Sequence, residues 1–209
     1  MKRRTVPEYW DRARRALARR DRVLARIIRD RPGIALEPRG KPFFTLARSI
    51  VGQQISVKAA ASIWARLAAL APRLLPRQVL DAGHARLVTC GLSGRKAEYV
   101  ADLARHFVDG SLHVADWAEM DDEAVIAELV QIRGIGRWTA EMFLIFGMLR
   151  PDVLPLGDLG LQRAICLNYF GGRAVTPRTM HRVAAAWVPW RSVATWYLWR
   201  SLDPIPVEY

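Results

Sequence analysis

Leu129-Val130-Gln131-Ile132-Arg133-Gly134-Ile135-Gly136-Arg137-Trp138-Thr139-Ala140 places two glycines around one apolar residue, between two stretches with helical apolar spacing. Glycine at such a point permits a tight reversal and lets another group come close to the backbone. The N–H groups that open the second helix lack intrahelical partners, and the helix dipole there favours an anion. Arg137 adds positive charge beside them. A turn of this kind can hold a DNA phosphate without reading base sequence. The same residues also fit an ordinary helix–helix turn in which Ile135 is a core plug.

Outward from this turn the pattern stays helical. Asp121 or Asp122 caps a helix running to about Ile132, and an apolar helix is predicted from Arg137 to about Met148. Pro151 and Pro155 bracket a loop, and helical spacing resumes from Asp158 to Tyr169. Thr176-Pro177 is a cap followed by proline at the first helical position, which starts a helix to about Trp187, and another helix is predicted over 192–201. On the N-terminal side, 43–54 and 56–70 read as helices, with Ser56 an N-cap. Shorter helices fit 76–82 and 84–90, and a longer one fits 93–108. Trp10, Leu17, Leu24, Ile27 and Ile28 share a helical face within 8–30. Pro32, Gly33 and the segment Glu37-Pro38-Arg39-Gly40-Lys41-Pro42 then form a linker. No strand-like alternation persists, so the predicted fold is all-α. The expected organisation is a basic N-terminal helix (1–41) packing with the C-terminal helices, a helical subdomain (42–155) ending in the turn, and C-terminal helices (156–209) that complete a second subdomain.

Charge narrows the partner class. The 209 residues include 32 Lys or Arg and 20 Asp or Glu, a net charge of +12. Residues 1–31 alone hold twelve basic residues against four acidic ones. Such a surplus favours polyanions through counterion release, although a solvated Arg-rich helix face has the same composition. Cys90 and Cys166 are far apart and outside any metal-ligand spacing, so neither a disulfide framework nor a metal cluster is expected and both read as small core residues. No signal-peptide core or membrane-spanning apolar run is present, which makes a cytoplasmic location and no membrane partner the expectation.

Three segments carry a family resemblance: the turn Ile132–Ala140, the loop Arg150-Pro151-Asp152-Val153-Leu154-Pro155-Leu156-Gly157-Asp158-Leu159-Gly160-Leu161, and Ser49-Ile50-Val51-Gly52-Gln53-Gln54-Ile55-Ser56. Together, over roughly 40–202, they resemble the helix–hairpin–helix (HhH-GPD) DNA glycosylase superfamily, in particular its DNA-3-methyladenine glycosylase II branch. The resemblance implies two helical subdomains flanking an active-site cleft, double-stranded DNA containing damaged bases as partner, and action as a monomer. Larger members of the branch carry an N-terminal β-rich domain, for which this chain has no evident room.

By the same resemblance Asp158 is the catalytic carboxylate, able to stabilise positive charge developing on the sugar or to orient water. Taken alone, Asp158 is equally a helix N-cap, and both roles are compatible. Asp152 is the rival carboxylate. Superfamily members that also nick the strand carry a Schiff-base lysine after the hairpin arginine. Here Trp138 stands in that position, and the four lysines, Lys2, Lys41, Lys58 and Lys96, lie outside the hairpin. A monofunctional hydrolase that leaves an abasic site is therefore expected. Trp138, Met142 and Trp199 are the base-pocket residues, with Met142 at a position that is aromatic in some relatives. An indole face suits cationic alkylated purines, although tryptophans at helical spacing are more often simply core. Gly134, Ile135, Gly136, Arg137, Thr139, Gln53 and Gln54 are the DNA-contact residues, with Gln54 at the wedge position that fills the gap left by an extruded base. Arg95 and Lys96 are further phosphate candidates. No cofactor is required, but the backbone carbonyls of Val130, Ile132 and Gly134 match carbonyls that hold a monovalent cation in relatives. The alternatives within reach are a glycosylase of the same fold for oxidised or mispaired bases, and a non-catalytic damaged-DNA-binding module.

Overall fold

Asp21 decides how the N-terminal segment folds. Apolar spacing predicts helix through 8–30, but the chain forms two, α1 (Trp10–Arg20) and α2 (Arg22–Arg29). Asp21 lies between them in an extended conformation, φ −137° and ψ 111°. Its Oδ1 accepts the N–H groups of Val23 (2.9 Å) and Leu24 (3.0 Å). An aspartate that can bond the backbone two and three residues ahead caps a new helix in preference to continuing the old one. Its Oδ2 accepts the Tyr169 hydroxyl (2.6 Å) and the Trp187 indole N–H (3.0 Å). One buried carboxylate thus ties the α1–α2 junction to residues 148 and 166 positions away.

The structure, a computed structural model, describes residues 6–37 and 40–202. Lys2, Arg3 and Arg4 of the basic segment, Pro38 and Arg39 of the linker, and residues 203–209 of the last segment lie outside the described residues. The helices that follow are α3 (Pro42–Gly52), α4 (Val57–Leu70), α5 (Pro76–Thr89), α6 (Gly94–Asp109), α7 (Asp122–Leu129), α8 (Arg137–Phe146), α9 (Leu159–Phe170), α10 (Pro177–Ala184) and α11 (Arg191–Leu202). A short 3-10 turn, Ala185–Trp187, extends α10. The described residues contain no strand, so the all-α reading stands.

Most starts follow the expected capping chemistry. Ser56, Ser93, Asp121, Asp158 and Thr176 each accept a backbone N–H two or three places into the helix they precede. The two short helices expected at 76–82 and 84–90 form one element, α5, interrupted at Gly83 by φ 75° and ψ 161°. Helix α7 ends at Leu129, three residues before the expected stop, because Val130 to Ile132 already belong to the tight turns entering α8.

The chain forms two compact units. One comprises 6–37 and 144–202, and the other 40–143. The division falls inside α8, after Phe143, not after Pro155 as the sequence suggests. In the first unit α11 is the central element. Ser192 to Arg200 are all buried, and α9, α2 and α1 pack around it. In the second unit α6 packs against α3 and α5. A run of edge-on rings, Phe43–Phe107–Trp117–Phe143, at centroid separations of 5.3, 6.3 and 5.5 Å, fills its centre. Cys90 is buried and Cys166 partly buried, and both are free thiols. Among the described residues no helix is long and apolar enough to cross a membrane.

Removing the Asp21 carboxylate deletes a helix cap and strands a buried hydroxyl and a buried indole N–H. Asp21→Ala is expected to lower unfolding free energy by about 2–4 kcal/mol in denaturant titration. Asp21→Asn, which keeps the cap oxygen, is expected to lower it by less.

Candidate active site and nucleic-acid interface

The two glycines of the hairpin are glycine for different reasons. Gly134 has φ +86°, and a Cβ there would lie 2.2–2.8 Å from ring atoms of Tyr99 on α6. Backbone conformation and packing therefore both exclude a side chain. Gly136 has neither restriction, because a Cβ there would meet no atom within 4 Å. Its bareness leaves open space before the first turn of α8, whose ladder begins with the Ala140 N–H donating to the Gly136 carbonyl (3.0 Å). The N–H groups at such a helix start face outward. Ile135, between the glycines, is buried at 4 % exposure, so its side chain is the core plug.

The turn is closed by its own unit. The Ile135 N–H donates to the Ile132 carbonyl (3.0 Å) and the Arg133 N–H to Asp102 Oδ2 (3.0 Å). Gln53 Nε2 donates to the Gly134 carbonyl (2.9 Å). Of the three carbonyls matched to a monovalent cation site, those of Ile132 and Gly134 thus already hold protein donors. A carbonyl oxygen has two lone pairs, so each of these keeps one for a further ligand. Among the described residues no group of three or more His, Cys, Asp or Glu side chains is arranged to hold a metal.

The structure disperses the other predicted DNA-contact residues into distinct roles. Gln54 is exposed, at the turn between α3 and α4, with φ +56°. Gln53 is half-buried, with its amide held on the hairpin. Thr139 is buried. Arg137 is exposed but engaged by two carboxylates: its Nη1 meets Glu123 (2.9 Å) and its Nε meets Glu141 (3.1 Å). These contacts hold the Glu123 carboxyl below its ordinary range, chiefly through hydrogen bonds from Arg137. Arg137 therefore does not present a free cation beside the helix start. Gln53, Gln54, Ser93, Arg95, Lys96 and Tyr99 line one open groove with residues 130–136 of the hairpin. Tyr99 and Asp102, both on α6, went unnoticed in the sequence because their partners lie over 30 residues away.

Of the base-pocket residues, Trp138 is 36 % exposed, whereas Met142 and Trp199 are buried at 4 % and 5 %. Asp158 is 5 % exposed. It is the N-cap of α9, its Oδ1 accepting the Leu161 N–H (2.6 Å), and the same oxygen accepts the Trp199 indole N–H (2.8 Å). Trp199 in turn stacks on Phe146, 5.8 Å away at an interplanar angle of 12°. Gly160 packs closely against the pair. A Cβ on Gly160 would lie 3.0 Å from Asp158 Oδ1 and 3.3 Å from Trp199 Cδ1. The rival Asp152 is differently placed: both its oxygens pair with the Arg191 guanidinium (2.8 and 2.9 Å), and it also accepts the Arg191 N–H (3.1 Å). Asp152 is thus a structural carboxylate at the start of α11.

Residues 47–190 match the profile described as HhH-GPD superfamily base excision DNA repair protein. The chain belongs to this superfamily. Over 175 residues, 82 % of this chain and 76 % of the relative, it is 31 % identical to DNA-3-methyladenine glycosylase 1 of Schizosaccharomyces pombe. It is 33 % identical to DNA-3-methyladenine glycosylase 2 of Escherichia coli over 85 % of this chain, spanning 64 % of that longer relative. A crystal structure of a DNA-3-methyladenine glycosidase from Bacillus halodurans superposes with a TM-score of 0.83 at 35 % identity, covering 90 % of this chain and 87 % of the other. In this HhH-GPD chain the hairpin, the wedge-position turn and the N-capping aspartate all have defined local geometry within their own units.

The two glycines separate fold from binding. Gly134→Ala is expected to destabilise the protein by about 2 kcal/mol or more, through positive φ and overlap with Tyr99. Gly136→Ala is expected to leave the unfolding midpoint unchanged while weakening binding to duplex DNA. Thermal unfolding and fluorescence-anisotropy titration on the same two variants check this.

Proposed function

We propose that this chain is a monofunctional N-glycosylase that removes alkylated bases, such as 3-methyladenine or 7-methylguanine, from duplex DNA and leaves an abasic site. On this reading it works as a monomer, needs no cofactor, and is a soluble DNA-associated protein. The observation that carries the reading is the Asp158 carboxylate, buried at a helix start and oriented by an indole N–H from Trp199. The names of its relatives point the same way.

The chemistry needs little more than such a carboxylate. A purine methylated at N3 or N7 already carries a formal positive charge. When the bond from C1′ to the base breaks, its electron pair returns to the ring and the base leaves neutral, without a general acid. Positive charge develops on the sugar at C1′, as in O-glycoside cleavage. A fixed carboxylate stabilises that charge. Water then bonds to C1′, and its proton passes to Asp158 or to solvent.

The supporting groups divide the remaining work. Trp138 offers a half-exposed indole face to a cationic base, an interaction of about 0.5–2 kcal/mol, and it stands where strand-nicking relatives have their amine. Met142 is buried and offers no open face to a base. Trp199 acts through Asp158, aiming its oxygen, rather than as an open pocket wall. The bare start of α8 at Gly136 accepts a phosphate, and the exposed Gln54 fills the space of the extruded base.

Purified protein is expected to release free methylpurine from methylated duplex DNA, leaving alkali-labile sites, with no covalent adduct trapped by borohydride. Trp199→Phe keeps the stacking on Phe146 and removes the N–H. Loss of a hydrogen bond to a charged group, about 1.5–3 kcal/mol, should slow release roughly ten- to hundredfold. A wild-type protein that releases no methylpurine, or one trapped by borohydride, contradicts the reading.

A further inference from the structure

Lys96 stands at an unfavourable place for a cation. It lies in the first turn of α6, where the helix dipole repels positive charge, and desolvation pushes its ammonium below the usual lysine range. Its Nζ donates to the carbonyls of Val51 (2.8 Å) and Gln53 (2.6 Å). These are carbonyls at the end of α3, where a helix leaves acceptors without intrahelical partners. One side chain therefore staples the start of α6 to the end of α3.

The stapled turn contains a strained residue. Gln54 has φ +56°, a conformation that is unfavourable for a non-glycine residue and persists only where its surroundings impose it. Two ties on the preceding residue impose it here. The Gln53 carbonyl is held by Lys96, and the Gln53 side-chain amide is held by the Gly134 carbonyl of the hairpin. Ser56 fixes the other side by capping α4 through the Ala59 N–H.

We infer that Lys96 and Gln53 are positioning residues that lock the Gln54 turn to the hairpin, so that the residue entering the stack and the turn gripping the phosphate move as one body. This rests on the reading above in which Gln54 fills the gap left by an extruded base. Lys96 in this role is not a phosphate ligand, although it lies in the groove beside the hairpin. Gln53 likewise contributes through the hairpin and not by touching DNA.

The test separates a staple from a phosphate contact. Wild type, Lys96→Met, Lys96→Arg and Gln53→Met are first compared in thermal unfolding. Each folded protein is then titrated onto a duplex carrying 2-aminopurine beside an abasic-site analogue, whose fluorescence reports the opening of the neighbouring stack. The same titration is repeated across salt concentrations. A phosphate ligand contributes close to one unit to the slope of log affinity against log salt, so its loss lowers the slope by about 0.9. We expect Lys96→Met to keep the wild-type slope but to lose the fluorescence change at saturation several-fold, and Lys96→Arg to restore most of it. Gln53→Met should lower it similarly. A variant carrying both Lys96→Met and Gln53→Met, titrated alongside, should fall no further than the larger single effect, because both ties act on one turn. A slope lower by about one, or a wild-type fluorescence change in Lys96→Met, overturns the inference. If Lys96→Met fails to fold, the Gln53→Met amplitude and slope decide by the same criteria. Neither readout needs base excision, so failure of the inference and failure of the glycosylase reading are told apart.

Discussion

The close approach of the Tyr99 ring to the Cα of Gly134 is the constraint on which the DNA-facing geometry depends. It admits only glycine, and glycine in turn allows φ +86° and the reversal from α7 into α8. That reversal aims the start of α8 outward at the unobstructed Gly136. It also presents the Gly134 carbonyl to Gln53, which is how a phosphate-type turn becomes mechanically connected to the α3–α4 turn. Asp102, three residues along the same helix from Tyr99, takes the Arg133 N–H. Helix α6 is thus the platform of this unit: Tyr99 shapes the hairpin, Asp102 caps it, and Lys96 holds the neighbouring turn.

Asp158 is the N-cap of α9, and the same geometry suits the charge-stabilising role proposed for it. Capping α9 fixes its Oδ1 against the Leu161 N–H, and the Trp199 indole fixes the same oxygen from α11. A carboxylate held by two donors is pre-oriented, so little reorganisation is needed when charge develops near it. Gly160 is part of the arrangement by what it lacks, since any side chain there would press on the pair. Asp152, six residues earlier in the same loop, shows the contrast. Its full pairing with Arg191 makes it a bracket for the chain.

Much of the fold was legible because it rests on local chemistry. The caps at Ser56, Asp121 and Thr176 depend on residues within four positions. The break at Asp21 was not legible, since the apolar face continues across it and only the distant Tyr169 and Trp187 reveal why the carboxylate turns inward. Site residues divide the same way. The Gly134–Gly136 pair was visible, but which glycine is structural depends on Tyr99, 35 residues away. Arg137 looked like a free phosphate cation. Glu141, one helical turn on, was within sight of the sequence, whereas Glu123 was brought in by the fold. Lys96 read as a phosphate candidate for the same reason: a groove lysine reveals its carbonyl partners only once α3 and α6 are packed.

The most direct measurement is single-turnover release of methylpurine by Asp158→Asn, alongside its affinity for a duplex with an abasic-site analogue. Asparagine retains the capping oxygen, so the helix start and the DNA-facing turn should persist and only the negative charge is lost. Asp158 as the charge-stabilising carboxylate predicts affinity within a few-fold of wild type and release slowed by roughly a hundredfold or more. Release by Asp158→Asn at the wild-type rate would contradict it.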